Sequence, residues 1–564
     1  MISVSGRKWQ EIKVDNKLVE KFQQDHNFSK IVSQLIVSRN FDKDEIHLIK
    51  NNLKISNIFQ HKPDFINSVK LIQDAVINKE KICILGDYDV DGSVATSLFI
   101  KFFEHLKNPY FYYIPDREKD GYGASKKLFK KLIRKKPNLI IMVDCGSTSV
   151  EAIDFLNENK IKSLIIDHHE IYKPYPKANA IINPKKDNGY NEYNYLCATA
   201  LTFFFLEILS DKLKSKINLK KNLIYVLLAT VCDVMPLRKL NRLISINALN
   251  EFNLNDNPLF IRIYDLINKK NKININDLGY LVGPILNAGG RLGKSNYATE
   301  LLSTNNIEII DKKAVELFNL NKKRREIETK ILDGIDFKKI EKKSKDLIIY
   351  YNSNINEGLI GIIASRLKDH FNKPSIVITN SNNLLKGSAR SVLNYNIGRA
   401  IKNSLDKNLI INGGGHNMAA GFSLEKKNLS NFEKFITKDY LSKNISSDDV
   451  YKYDSELSTI GFKKEFYNDI KQIGPFGTGN PEPIFLLKKL KVIKSTIIEN
   501  KHISCILKSK IGFLIKSISF NSLNNEIGRN LLNNKKYFNV IGEINENFWN
   551  NKKTLQLIIK DLIM

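Results

Sequence analysis

Ile82-Cys83-Ile84-Leu85, followed at once by Gly86-Asp87-Tyr88-Asp89-Val90-Asp91-Gly92, is the stretch on which the reading of this chain turns. A short, wholly apolar run that stops at a glycine reads as a strand buried on both faces, the kind found in parallel sheets. The loop that leaves it crowds three carboxylates between two glycines. Like charges that close repel one another, so either their pKa values rise or a cation neutralises them. The cation is the simpler solution. Outward from this stretch the pattern repeats: Leu139 to Val143 ends in Asp144, and Leu164 to Ile166 ends in Asp167-His168-His169. Short apolar runs alternating with amphipathic stretches predict βαβ units and a parallel sheet, and ligands of such sheets bind beyond the carboxyl ends of the strands. The three segments should therefore converge on one crevice. A further apolar segment, Leu223 to Val231, leads into Cys232-Asp233 and reads as a fourth contribution.

Other chemistries compete for the loop. Asp87-x-Asp89-x-Asp91-Gly92 opens like an EF-hand calcium loop, but its twelfth position, where a bidentate Glu belongs, is Leu98, and a strand precedes it instead of a helix. Asp89-Val90-Asp91-Gly92-Ser93 resembles the haloacid-dehalogenase phosphatase loop, yet the next strand ends in Asp144 where that family has Ser or Thr. A capped, solvated turn leaves the other acidic strand ends unexplained.

Taken together, the Gly86-to-Gly92 loop, Val143-Asp144-Cys145-Gly146, Asp167-His168-His169 and Cys232-Asp233-Val234-Met235-Pro236-Leu237 resemble, in order and separation, the four motifs of the DHH phosphoesterase superfamily. The resemblance implies metal ligation by Asp89, Asp91, Asp144, His168 and Asp233, with Asp144 as the bridge. Asp87 and His169 would lie beside the metals in catalytic roles. Carboxylates with one or two imidazoles suit Mn or Mg better than zinc, and two such ions about 3.5–4 Å apart clamp a phosphodiester undergoing displacement.

More of the chain resembles RecJ-type single-strand exonucleases. Pro115-Asp116-Arg117 through Gly121-Tyr122-Gly123 looks like that family's arginine segment, which would give Arg117 a catalytic, phosphate-gripping role, and Asn287-Ala288-Gly289-Gly290-Arg291 looks like another. Gly358 to Arg366, Gly387-Ser388-Ala389-Arg390-Ser391 and Gly413-Gly414-Gly415-His416 look like the DHH-associated domain, which implies nucleotide contacts for Arg291, Ser388, Arg390 and His416. Gly474-Pro475-Phe476-Gly477 through Pro483 resembles the entry to an oligonucleotide-binding barrel. Lysines crowd the segment after it. Basic grooves with aromatic platforms hold single strands, and Phe485 and Trp549 are the candidate platforms, Phe485 fitting a core position equally well. Two positions depart from the family's habit: Ile285 stands where Arg is frequent, and Ile355-Asn356 where Trp-His is frequent.

The expected architecture is α/β. Residues 1–50 form an N-terminal segment and 51–310 a parallel-sheet DHH domain with a helical extension. Residues 311–340 form a long connecting helix, 341–440 a smaller α/β DHH-associated domain, and 441–564 an OB-type β-barrel. The 564 residues are too many for one hydrophobic core. Their 88 Lys and Arg against 60 Asp and Glu, formally +28, suit a polyanionic partner. The chain is also rich in Asn and Ile beside Lys, a bias that base composition alone can produce. Five scattered cysteines, never C-x-x-C, read as small apolar residues rather than a disulfide or zinc framework. With no apolar run of about 20 residues and no secretory signal, a cytoplasmic protein without a membrane partner is expected.

The resemblance implies a 5′-to-3′ exonuclease that hydrolyses single-stranded DNA to mononucleotides in recombination and repair, acting as a monomer alongside a helicase and a single-strand-binding protein. Two alternatives stay open: a phosphoesterase for oligoribonucleotides, cyclic dinucleotides or pyrophosphate, and a non-catalytic single-strand-binding scaffold.

Overall fold

An apolar run can fill a strand only where both faces of the sheet are covered, and every residue of Ile82–Leu85 is buried. The structure, a computed structural model, describes residues 1–51, 55–116, 120–121, 123–186, 190–270, 272–343, 346–381, 383–443, 450–533, 536–549 and 552–564. In it, Ile82–Leu85 lies inside a five-stranded sheet ordered Tyr110–Tyr113, Ile82–Leu85, Leu139–Val143, Lys162–Ile166, Ala180–Ile182. All of its pairings are parallel. The register pairs Leu85 with Met142 and Val143 with Ile166, so the acidic loops leave the sheet at one level.

The fourth apolar segment is a helix, Leu223–Cys232, and not another strand. Residues 223 to 230 are all buried, so no polar stripe marks a 3.6-residue period, and the run looks the same in either state. Its C-terminus delivers Asp233 where a strand end was expected. The connecting helix spans Ile307–Asp333, capped by Asn306 and ended at Gly334. A second five-stranded sheet follows, ordered Asn412–His416, Ala419–Leu424, Leu384–Arg390, Ser375–Ser381, Ile348–Tyr351, with only its last pair parallel. Both sheets belong to one compact unit, residues 56–233 and 252–445.

The other unit comprises residues 1–55, 234–251 and 446–564. Its heart is a closed five-stranded barrel, in which Ile484–Ile498 pairs with both His502–Ser509 and Phe538–Trp549, and the circuit is completed through Leu514–Ser519 and Lys552–Ile563. The N-terminal segment is part of this unit. Lys8–Glu11 pairs in parallel with Val450–Tyr453, Trp9 Nε1 donates to Asp561 at 3.0 Å, and Val32, Leu35 and Ile36 share a core with Ile470, Leu487 and Leu531. Phe485 is in that core, 0% exposed and 5.4 Å from the Phe466 ring. It is therefore no stacking platform: with Leu486 and Leu487 it lines the stretch where its strand is covered on both sides. Trp549 ends a strand, and its side chain lies outside the described residues. All five cysteines are free and four are buried. Among the described residues no helix is long and apolar enough to cross a membrane.

Candidate metal centre

The acidic loop folds as a strand-to-helix turn. Asp89 caps the helix Val90–Leu106 by accepting from the Gly92 N–H at 3.1 Å. Asp91, in the first turn and 1% exposed, is held by another helix N-terminus: its Oδ2 accepts from the Ala198 N–H and its Oδ1 from the Thr199 N–H, each at 2.8 Å. The Asp91 Oδ2 still lies 3.8 Å from His168 Nε2. Asp144 takes the left-handed backbone conformation, φ +59°, which aspartate tolerates better than most residues. Its Oδ1 lies 3.4 Å from His168 Nε2 and 3.7 Å from His169 Nδ1, and Asp233 Oδ2 lies 3.4 Å from His168 Nε2.

Three groups of potential ligand atoms, each within 4.8 Å of one another, result: Asp87–Asp89–Asp144, Asp144–His168–His169 and Asp91–His168–Asp233. Asp144 belongs to two of them, the position a bridging ligand needs, and Asp87 falls in with the carboxylates rather than apart from them. Asp144 Oδ1, Asp233 Oδ2 and both His168 ring nitrogens are buried without a hydrogen-bond partner. Each such orphan costs on the order of 1–3 kcal/mol, and three of them, Asp144 Oδ1, Asp233 Oδ2 and His168 Nε2, lie together, which describes a place shaped for cations. The electrostatics agree. Burial, reinforced by Asp91 and Asp89, drives Asp144 well above the usual carboxylate range. Burial and Asp91 do the same to Asp233. Burial, with His169 beside it, drives His168 well below the ordinary imidazole value. A divalent ion would favour the deprotonated form of all three at once.

Asp167, which the sequence reading does not single out as a site residue, is the organiser of the histidine pair. Its Oδ1 accepts from the His168 and His169 N–H groups at 2.8 and 3.2 Å and meets His169 Nδ1 at 2.8 Å, while Oδ2 accepts from the Ser147 N–H. Burial alone would raise its pKa; His169 overrides that and holds Asp167 well below the carboxylate range. Burial likewise opposes charge on His169, but Asp167 pushes it up to about 9. The signal in the sequence was a carboxylate two residues before an imidazole at a strand end.

The Asn287-to-Arg291 segment braces the acidic loop. Asn287 Oδ1 accepts from the Val90 N–H at 3.1 Å, and a Cβ on Gly290 would stand 2.4 Å from the Tyr88 ring, so only glycine fits there. Ile285 is 2% exposed, an apolar residue in an apolar place. Arg291 donates from Nη1 to the Gly358 carbonyl at 3.3 Å, and Arg291, Gly358 and Asn356 line one small cleft with Asp116. Arg117 lies outside the described residues.

The second sheet meets the first at His416, whose ring stacks on His169 at 5.9 Å and 18° and whose Nδ1 lies 3.8 Å from Glu170. In the same sheet Arg390 Nη1 donates to Ser388 Oγ at 3.2 Å. A Cβ on Gly361 would stand 2.9 Å from Arg390 Nη2 and 3.2 Å from Ser388 Oγ. The structure thus brings Asp87, Asp89, Asp91, Asp144, His168, His169 and Asp233 together. It sets His416 against them and joins Ser388 to Arg390.

Residues 81–231 match the DHH family, N-terminal domain, residues 344–440 the DHHA1 domain and residues 453–561 the RecJ OB domain. The single-stranded-DNA-specific exonuclease RecJ of Haemophilus influenzae is 30% identical over 478 residues, covering 80% of this chain and 83% of the relative. That of Bacillus subtilis is 26% identical over 571 residues, 99% of this chain and 71% of the relative. Among solved structures, RecJ in complex with Mn2+ from Thermus thermophilus superposes with a TM-score of 0.81 at 20% identity, over 99% of this chain and 79% of that one.

Proposed function

The chain belongs to the RecJ family of single-stranded-DNA-specific exonucleases, and from that premise we propose that it hydrolyses single-stranded DNA from the 5′ end to mononucleotides with two divalent ions. The observation that carries this reading is the convergence of Asp144 Oδ1, Asp233 Oδ2 and His168 Nε2, buried and without hydrogen-bond partners, on one point. Asp89, Asp91, Asp144, His168 and Asp233 would hold Mn2+ or Mg2+, Asp144 being a residue shared by two of the ligand groups and Asp87 belonging with Asp89 and Asp144. Divalent ions bound there polarise the phosphodiester and lower the pKa of water.

The protein supplies the rest. The N-terminus of the helix Ala198–Lys212 fixes Asp91, and Asp167 fixes the His169 ring through Nδ1, leaving Nε2 to meet a phosphate oxygen or the leaving group. Arg117, Arg291, Ser388, Arg390 and His416 grip the phosphates of the strand, and the lysines of the barrel with Trp549 hold its length. The setting is cytoplasmic DNA recombination and repair, by a monomer working with a helicase and a single-strand-binding protein. A small-substrate phosphoesterase has no use for the closed barrel, and a non-catalytic scaffold has no use for a complete ligand set.

End-labelled single- and double-stranded DNA incubated with the protein and Mn2+ or Mg2+ tests the reading. Mononucleotides leaving the 5′ end of single strands are expected. Release from the 3′ end, or equal attack on duplex, overturns it.

A further inference from the structure

One row of cross-strand partners in the second sheet runs His416, Ala419, Arg390. Just past it the chain forms two short loops, residues 391–396 after Arg390 and the turn at Asn417-Met418 after His416. The loops are bonded into one rim. The Ser391 N–H donates to the Met418 carbonyl at 2.9 Å, the Ile397 N–H to the Asn417 carbonyl at 3.1 Å, and Ser391 Oγ to the Tyr395 carbonyl at 2.7 Å. Ser391 and Tyr395 are buried and anchor the rim. Leu393, however, is 76% exposed and Met418 43% exposed.

Leu393 and Met418 stand on a hydrogen-bonded rim, three residues along the chain from Arg390 and two from His416, and loops anchored on a scaffold in this way are where binding residues concentrate. The row beneath them carries Arg390 and the His416 that stacks on His169. A nucleotide joins a charged phosphate to a flat, apolar-faced base, so a chain that grips the first at this row must offer something to the second close by. We propose that Leu393 and Met418 form the surface on which a base of the single strand rests while its phosphate meets the Arg390–His416 row. The assignment rests on the nuclease reading above. Neither side chain has a polar group that could prefer one base edge over another, and a thioether packs well on aromatic faces, so the contact is blind to sequence. That suits an enzyme that must advance through every base.

The test uses the full chain with Mn2+ and two 5′-phosphorylated strands, one normal and one with abasic residues at its first two positions. Three proteins are compared: wild type, Leu393→Ala/Met418→Ala, and the conservative exchange Leu393→Met/Met418→Leu, each first checked for an unchanged melting temperature. For the wild type, abasic residues should raise KM roughly five- to ten-fold with kcat little changed. The alanine pair should show about the same rise on the normal strand and no further rise on the abasic one, and the conservative exchange should restore wild-type values. An alanine pair that matches wild type on the normal strand, or that loses an equal factor on both strands, overturns the proposal. So does an alanine pair that changes only the sedimenting mass, which would make the rim a contact between protein molecules. A wild-type protein that is active on the normal strand but indifferent to abasic residues refutes the base rest alone; one inert on both strands refutes the nuclease reading and the base rest with it.

Discussion

The metal centre and the barrel carry opposite charge in opposite ways. At the end of the first sheet, Asp87, Asp89, Asp91, Asp144 and Asp233 crowd toward His168 and His169, most of them buried. On the barrel, Lys491, Lys494, Lys508 and Lys516 spread over the outward side of three strands. Lys491 lies opposite Lys508, and Ile506 sits between Lys494 and Lys516. Concentrated, desolvated charge is expensive and cannot stand without its counter-ion; dispersed, exposed charge is cheap and each member contributes little. The first arrangement is what the proposed reaction centre needs, the second what a surface proposed for a polyanion needs. Substitutions should therefore act almost all-or-none at the centre and by small increments on the barrel.

The strongest attempt to break that contrast is Asp144→Asn. Because Asp144 belongs to two ligand groups, activity should fall by roughly a thousand-fold or more while binding of a single strand changes little. Without metal the same variant should melt at a higher temperature than wild type, since a buried, mutually repelling carboxylate has gone; with excess Mn2+ the order should reverse. Retained cleavage would remove Asp144 from the centre, and a lower melting temperature in the absence of metal would show that the crowding is not repulsive.

Asp167→Asn probes the next layer out. It leaves every proposed ligand in place but exchanges the carboxylate partner of His169 Nδ1 for a neutral amide, so a loss of roughly 10- to 100-fold is expected. The pH profile gives the sign. Asp167 pushes His169 up, to about 9, against the burial that opposes its charge, so the wild type should keep the imidazolium to higher pH than the variant. In the variant it should be lost near the ordinary histidine range, moving the alkaline limb of the profile to lower pH. An unmoved limb would mean that Asp167 acts only in folding.

Gly361→Ala tests the Arg390–Ser388 pair, where the charge is neither buried in a cluster nor spread over a surface. The new Cβ presses on Arg390 Nη2 and Ser388 Oγ, the far ends of side chains that can yield. KM should rise about three- to ten-fold with the fold intact, and an unchanged KM would free Arg390 from the substrate.

What could be read from the residues follows the same division. The centre was legible because its candidate ligands lie at or within a few residues of the ends of short apolar runs, Asp144 directly after Val143, His168 just past Ile166, and Asp89 and Asp91 in the loop and first helical turn after Leu85, and such runs in alternation specify a parallel sheet whose strand ends meet. Leu223–Cys232 misled, since a helix enclosed on every side has lost the polar face that reveals its period. Asp167 escapes a reading of residues because its partners are backbone N–H groups and a neighbouring ring, contacts that need the turn to be folded before they exist. The place of residues 1–55 in the barrel unit was invisible for another reason. A strand pairing between Trp9 and Tyr451, and a hydrogen bond from Trp9 to Asp561, span hundreds of residues and leave no local periodicity. Phe485 shows the converse error, an aromatic beside lysines that turns inward.

The barrel offers the smallest and most graded expectation. Removing the whole barrel is a poor test, because Val32, Leu35 and Ile36 would lose their core with it. Replacing Lys491, Lys494, Lys508 and Lys516 by Gln leaves the backbone pairing alone and removes only charge. With Lys491 and Lys508 directly opposite on neighbouring strands, the change should if anything steady the sheet by a few tenths of a kcal/mol. Each lysine that neutralises a phosphate releases a counter-ion, so each loss should lower the slope of log affinity against log salt by about 0.7 for a single strand. Binding at low salt should weaken by about two- to five-fold per lysine, with kcat on saturating substrate hardly altered. A salt slope that stays fixed through all four replacements would place the strand's electrostatic contacts elsewhere. A single lysine that abolished binding by itself would dissolve the contrast between concentrated and dispersed charge, because a spread surface has no one member on which everything depends.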